Sequence, residues 1–297
     1  MRLSYNQLAT IARRLSTPQT QILALLDQHR YATTRQLARL LQPHYRTAAS
    51  ALRQTARLTR TLADHSLIGC LARRIGGSRG GSAGAIWYTT EAGARLAGID
   101  PAADELTLPR LQPRRRHREP STTFLAHTLA VTEARLITEE TSRTQPLRIQ
   151  HIETEPACWR RHLGRHGHPE TVKPDLAVIT ETGGYQDHWW YEIDLGTENP
   201  ARLKAREARY LRHYHSGVEQ RQRGLFPAVV WIAPDHARRR LIETTFDHQA
   251  PHGMFTACQP DELPGVLLHQ TTATPLLHQT TAQPGHPTPQ PPASPAQ

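Results

Sequence analysis

Cysteine is scarce in this chain of 297 residues: Cys70, Cys158 and Cys258 are odd in number and far apart. That excludes a disulfide framework and a CxxC zinc ribbon, and it fits a reducing compartment. Long apolar runs are missing as well. The longest, residues 228–233, is far below the roughly 18 residues that a membrane-spanning helix requires. The first sixteen residues interrupt their apolar side chains with Asn6, Arg13 and Arg14, so they lack the unbroken core of a secretory signal. A soluble, cytoplasmic protein is the expectation. Acid is in short supply too. The 36 Lys+Arg outnumber 26 Asp+Glu, for a net charge of +10, and nearly all of the basic residues are arginine. Guanidinium pairs bidentately with phosphate, so the excess points to a polyanionic partner, nucleic acid ahead of an anionic membrane surface.

Composition divides the chain into an N-terminal helix or arm (1–17), a basic periodic module (18–100), a linker (101–120), a second module of alternating helical and strand patterns (121–260) and a tail (261–297). The basic module carries eleven arginines against Asp27, Asp64, Glu91 and Asp100. The linker loses periodicity and runs through Pro109, Pro113, Arg110, Arg114, Arg115, Arg116 and Arg118, as extended charged connectors do. The tail is rich in Pro, Thr, Gln and Ala and repeats the heptapeptide LLHQTTA, a composition expected to be disordered.

In the basic module, Thr17-Pro18 opens a helix with Ile22, Leu23, Leu25 and Leu26 on its core face. Thr33 or Thr34 caps a second short helix that Pro43 stops, giving helix-turn-helix spacing. A third helix over about 46–64 places Arg46, Arg53, Arg57 and Arg60 within about 60° of one another. Ala49, Leu52, Ala56 and Ala63 fall about 90° away and are expected to be its packing face. Residues 67–75 and 85–89 read as two strands around the glycine-rich segment 76–84, with Arg73, Arg74 and Arg79 beside or within it. This order resembles the winged-helix domains, whose third helix enters the major groove while the wing touches phosphate. The resemblance implies DNA contacts by all seven of these arginines.

In the second module the expected order is helix, three strands, helix, strand. Gly183-Gly184 is a two-residue turn signal, and a hairpin centred there opposes Asp175 and Glu192. Opposed side chains stand about 5 Å apart on one face, where two carboxylates repel unless a cation lies between them. Strand alternation adds Asp194 to that face and sends Tyr191, Ile193 and Leu195 to the core. Three oxygen ligands suit Mg²⁺ or Mn²⁺. The segment CWRRHLGRHGH offers Cys158, His162, His166 and His168 to zinc, but at a spacing that matches no finger.

Lys173-Pro174-Asp175, then Glu192-Ile193-Asp194, then a helix with Lys204 resembles the PD-(D/E)XK nuclease core, with Glu133 on the preceding helix at the place of an additional acidic residue. YEIDLGTE followed by Lys204, Tyr210 and Tyr214, downstream of a winged helix, is similar to the replication-relaxation family. The resemblance implies an α+β chain, an N-terminal winged helix-turn-helix followed by an α/β nuclease-like domain. It further implies action on DNA in plasmid replication, relaxation or conjugative transfer, with a relaxase or DNA translocase as possible partner. Asp175, Glu192, Lys204 and Glu133 would be its catalytic set and Asp175, Glu192 and Asp194 its metal ligands. One departure matters: Asp194 stands where the nuclease pattern has lysine. A winged-helix transcriptional regulator with a non-catalytic second domain is the alternative.

Overall fold

Most helices of the N-terminal half start where the sequence supplies a cap, as the computed structural model shows; it describes residues 5–71, 84–97, 119–164 and 167–269. After α1 (Tyr5–Ala12), α2 (Thr17–His29) begins with Pro18 in its first turn, and Gln19 Oε1 accepts from the Ser16 amide at 2.9 Å. Strand β1 (Tyr31–Thr33) leads into α3 (Thr34–Leu40), where Thr33 accepts from the Gln36 amide. A tight turn through Pro43 precedes α4 (Ala48–Asp64), capped by Thr47. Strands β2 (Ile68–Cys70) and β3 (Ile86–Thr89) complete an antiparallel sheet in the order β1-β3-β2, followed by α5 (Glu91–Ala97). Leu8, Ile22, Leu26, Leu37, Leu62 and Leu67 meet in one core.

The phase of α4 differs from expectation. Its buried residues are Ala51, Thr55, Thr59 and Leu62, whereas Ala49 is exposed and Leu52 is 40% exposed. The reason is that Thr59 satisfies its hydroxyl on the carbonyls of Thr55 and Ala56, at 3.0 and 3.2 Å. Back-bonding of this kind lets a threonine serve as a core residue. The arginine row consequently lies about 180° from the buried face at about 100° per residue.

The second half opens with α6 (Thr122–Thr144) and β4 (Leu147–Thr154). A hairpin, β5 (Arg160–Leu163) and β6 (Pro169–Val172), is inserted before β7 (Leu176–Thr182) and β8 (Tyr185–Ile193). Then come α7 (Pro200–Ser216), α8 (Val218–Arg223), β9 (Ala228–Ile232), α9 (His236–Glu243), β10 (Phe255–Cys258) and α10 (Leu263–Leu267). The five-stranded sheet runs β10-β9-β8-β7-β4. Its β4, β7 and β8 pair antiparallel, while β8, β9 and β10 pair parallel. Gly183 and Gly184 both have positive φ, at 60° and 85°, as a primed hairpin turn needs. The register is the expected one, with Leu176 opposite Tyr191 and Thr182 opposite Tyr185.

Side-chain alternation along β8 builds two cores. Trp189, Tyr191 and Ile193 face α6, with Val178 and Leu147, while Trp190 packs with Leu203 and Tyr210 of α7. The core also reaches past the expected end of the module: Leu263, Val266 and Leu267 are buried against the α6 side of the sheet. Residues 270–297 lie outside the described residues, as do 98–118 and 72–83. The linker, most of the tail, and Arg73, Arg74 and Arg79 fall there. No described helix is long and apolar enough to cross a membrane.

The two halves meet along α6. Arg39 of α3 pairs with Glu133 and with Glu140, the latter at 2.7 Å, and Gln36 donates to Glu133 and to the Leu129 carbonyl. Arg143 donates to the carbonyls of Arg39 and Leu40, and Thr132 to that of Tyr31.

Candidate functional site

The end of the five-stranded sheet gathers the acidic residues, because β7 begins and β8 ends there. Asp175 immediately precedes β7, and its amide donates to the Tyr191 carbonyl at 2.9 Å. One carboxylate oxygen, Oδ2, accepts from the Ile193 amide at 2.7 Å and the other, Oδ1, lies 2.9 Å from His127 Nε2 on α6. Glu192, near the end of β8 and only 2% exposed, feels the charge of the Asp175 carboxylate. Its two oxygens are taken by the Tyr210 hydroxyl and by Arg206 Nη1, the latter at 2.7 Å. Arg206 also binds Glu198 at 2.6 Å. Asp194, one residue beyond β8, is held bidentately by Arg238 at 2.8 and 2.7 Å and accepts from the Gly196 amide.

These contacts set the charges. Burial and the neighbouring Asp175 push Glu192 up to about 7, outweighing Arg206 and Tyr210. Arg206 nonetheless stays firmly cationic: Glu192 and Glu198 raise it against the effect of burial. Tyr210 is raised well above its ordinary range, by burial first and then by Glu192. It is a neutral donor that positions Glu192 and is no nucleophile. The hydrogen bond to Asp175 holds His127 above its usual value despite burial.

Three of the expected site residues are placed elsewhere. Lys204 is exposed, because α7 turns Leu203, Glu207, Tyr210 and His213 toward the sheet; the cation on Glu192 is Arg206. Glu133 faces the N-terminal half and pairs with Arg39. It lies six residues beyond His127 and so about 240° round α6. Asp194 cannot act as a third ligand while Arg238 holds both of its oxygens, since the alternation that was to align it ends with the strand at Ile193. Sequence reasoning missed His127, Arg206 and Arg238. The recurrence of Leu203, Arg206, Glu207 and Tyr210 at helical spacing was the available signal for Arg206; nothing local pointed to the others.

A hard divalent cation does not fit these donors. Mg²⁺ wants several free oxygens in a near-octahedral set, yet Asp175, Glu192 and Asp194 have every carboxylate oxygen engaged by a protein donor. Among the described residues no group of three His, Cys, Asp or Glu side chains is placed to hold a metal ion. Of the histidine-rich segment, residues 160–163 form β5, Cys158 Sγ donates to the Pro174 carbonyl and the His162 ring lies tilted 4.7 Å from that of His213, while His166 falls outside the described residues.

Arg53, Arg57 and Arg60 are exposed on α4, whereas Arg46, expected within the same helix, is exposed in the turn before it, because the helix starts at Ala48 behind its Thr47 cap; none of the four makes an ion pair among the described residues.

A helical unit carrying an unpaired arginine row, set against a mixed sheet with a buried carboxylate pair at its end, defines a two-part α+β protein. The replication-relaxation family model matches residues 23–229, from α2 into β9, and the chain belongs to that family. Comparisons with curated proteins and with solved structures found no match.

Proposed function

We propose that this protein is a DNA-binding factor of plasmid or mobile-element replication and relaxation, in which the N-terminal half is a winged helix and the C-terminal half a PD-(D/E)XK-derived module that holds DNA without cutting it. Membership of the replication-relaxation family supports the setting. The observation that carries the reading is the row Arg53, Arg57 and Arg60, exposed, without an ion pair among the described residues and opposite the buried face of α4, with Arg46 exposed just ahead of the helix. Three guanidinium groups aligned along one helix face, with a fourth just before the helix, match the phosphates and guanine edges of a major groove. The order α2, β1, α3, α4, β2, β3 is that of a winged helix, and Arg73, Arg74 and Arg79 lie in its connecting segment, outside the described residues.

The C-terminal half supports holding more than cleavage. Hydrolysis of a phosphodiester needs a group that stabilises developing charge at the phosphate and an activated water. Here Arg206 is spent on Glu192 and Glu198, and the carboxylates are saturated. Duplex binding as a function of salt tests the reading. Each phosphate neutralised contributes about 0.9 to the slope of log K against log salt. Four contacts therefore cost the wild type about 150-fold more affinity than the quadruple alanine variant between roughly 50 and 200 mM salt. Equal slopes and equal affinities for the two proteins would remove α4 from the interface.

A further inference from the structure

Between the two halves runs a shallow cleft, open to solvent, that reaches the His127–Asp175 contact of the carboxylate network at its inner end. One wall is the end of α2, with Gln28, His29 and Arg30. The other is α6, with Phe124, His127 and Thr128, and its floor is closed by Glu155 and Asp175. Junctions between two units are preferred places for ligand sites.

Two features single out the kind of ligand. Phe124 is 39% exposed although its ring is large and apolar. The Arg30 guanidinium sits 5.7 Å from its ring centroid, and Tyr31 meets its edge at 6.5 Å. With the guanidinium over one face of the ring and Tyr31 bracing it from the side, the other face is the one on which an unpaired base would stack while the cation takes the adjoining phosphate. Arg30 is moreover held at φ 69°, a left-handed conformation that a non-glycine residue adopts at a cost of about 1 kcal/mol or more and that fixes its exit direction. Deeper in the cleft the charge reverses. His29 is pushed down to about 3 by burial and by Arg135, so it is neutral, while Glu155 lines the cleft as an acceptor. A phosphate is repelled there, but the amino group of a base is a fitting donor.

We propose that this cleft binds an unpaired nucleotide of a DNA strand, its base stacked on Phe124 and directed toward Glu155, its phosphate at the rim on Arg30. This rests on the DNA-binding reading above and deepens it: the substrate is DNA carrying a single-stranded segment, with duplex taken by α4 and the open strand by the cleft.

The test compares a mixed-sequence single-stranded oligonucleotide with its duplex in fluorescence anisotropy, using the full chain. Phe124→Ala is expected to weaken single-strand binding about five- to a hundredfold, the range set by stacking of one base on one ring. Phe124→Tyr, which keeps the ring, should restore it. Arg30→Ala should weaken single-strand binding and lower its salt slope by about 0.7. Duplex affinity should be unchanged by all three and lost in the α4 quadruple variant. If Phe124→Ala and Arg30→Ala bind single strands as the wild type does while duplex binding persists, the cleft assignment is wrong and the α4 reading stands. If the wild type binds neither form, both fall. Phe124 and Arg30 are exposed, so their replacement leaves the core intact; Phe124→Tyr provides the folded control.

Discussion

Replacing Glu192 by glutamine probes the most strained charge in the molecule. Glu192 is buried between Tyr210 and Arg206 with Asp175 opposite, and its pKa in the folded state is raised from 4.5 to about 7. Below the ordinary value both folded and unfolded chains carry the proton, and the residue costs nothing. As the pH rises from about 4.5 to 7 the unfolded chain releases its proton while the folded chain must keep it. The stabilising preference for the protonated form is therefore lost as pH climbs through the folded value. The full cost is about 3 kcal/mol, because each tenfold change in proton affinity is worth about 1.4 kcal/mol. Glutamine keeps an oxygen for the Tyr210 hydroxyl and never ionises. Glu192→Gln should therefore gain about 2 to 3 kcal/mol relative to the wild type between about pH 5 and pH 8. Taking the difference between the two proteins cancels every other titrating group. Urea unfolding followed by tryptophan fluorescence reads it, since Trp189, Trp190 and Trp231 are buried in the cores around β8 and β9. A difference that does not change with pH would mean that Arg206 holds Glu192 fully ionised at its ordinary acidity. A difference of the opposite slope would mean that the ion pair outweighs burial, and the reasoning would be refuted.

Two further outcomes follow from the same geometry. Arg238→Ala leaves Asp194 buried without its bidentate partner and should destabilise the C-terminal half by about 3 to 5 kcal/mol, whereas Lys204→Ala, at an exposed position, should stay within about 0.5 kcal/mol of wild type; equal effects in urea unfolding would contradict the placement of these two cations. Arg39→Ala removes a half-exposed pair of contacts to Glu133 and Glu140 and should cost about 1 kcal/mol or less, yet hydrogen exchange should rise along α3 and the facing part of α6, and unaltered exchange there would mean that Arg39 does not join the halves.

Local signals in the sequence were enough for elements and register but not for partners. Gly183-Gly184 specified a two-residue turn, and through it the pairing of β7 with β8 and the juxtaposition of Asp175 with Glu192. The cap at Thr33 likewise announced α3, whereas α4, expected from about residue 46, starts at Ala48 behind Thr47. The phase of α4 was misread because a buried threonine looks polar until its hydroxyl is seen to bond the preceding turn, as Thr59 does. Lys204 was drawn to the site by its likeness to a motif, although the helical recurrence of Leu203, Glu207 and Tyr210 turns it outward. Arg238 reaches Asp194 from 44 residues away, and His127 reaches Asp175 from 48. Contacts across such separations depend on how α6 and α9 settle on the sheet, which no short window of sequence encodes.

The placement of α6 has a consequence for how the halves work together. One side of this helix carries Leu129, Glu133 and Glu140 to α3, and another carries His127 to Asp175 at the sheet end. The same helix supplies the Phe124 wall of the cleft, whose other wall is the end of α2. Since α3 packs directly on α4, the arginine row, the cleft and the carboxylate pair are referenced to a single rigid rod. Helical geometry makes that reference unforgiving: inserting one residue between His127 and Glu133 would rotate one set against the other by about 100° and shift it by about 1.5 Å. Either the Arg39 contacts or the His127–Asp175 contact would then be lost. The distance from the α4 arginines to the cleft is thus written in the spacing of α6, and on the DNA-binding reading proposed above a strand leaving a duplex on α4 would meet the cleft at a fixed separation.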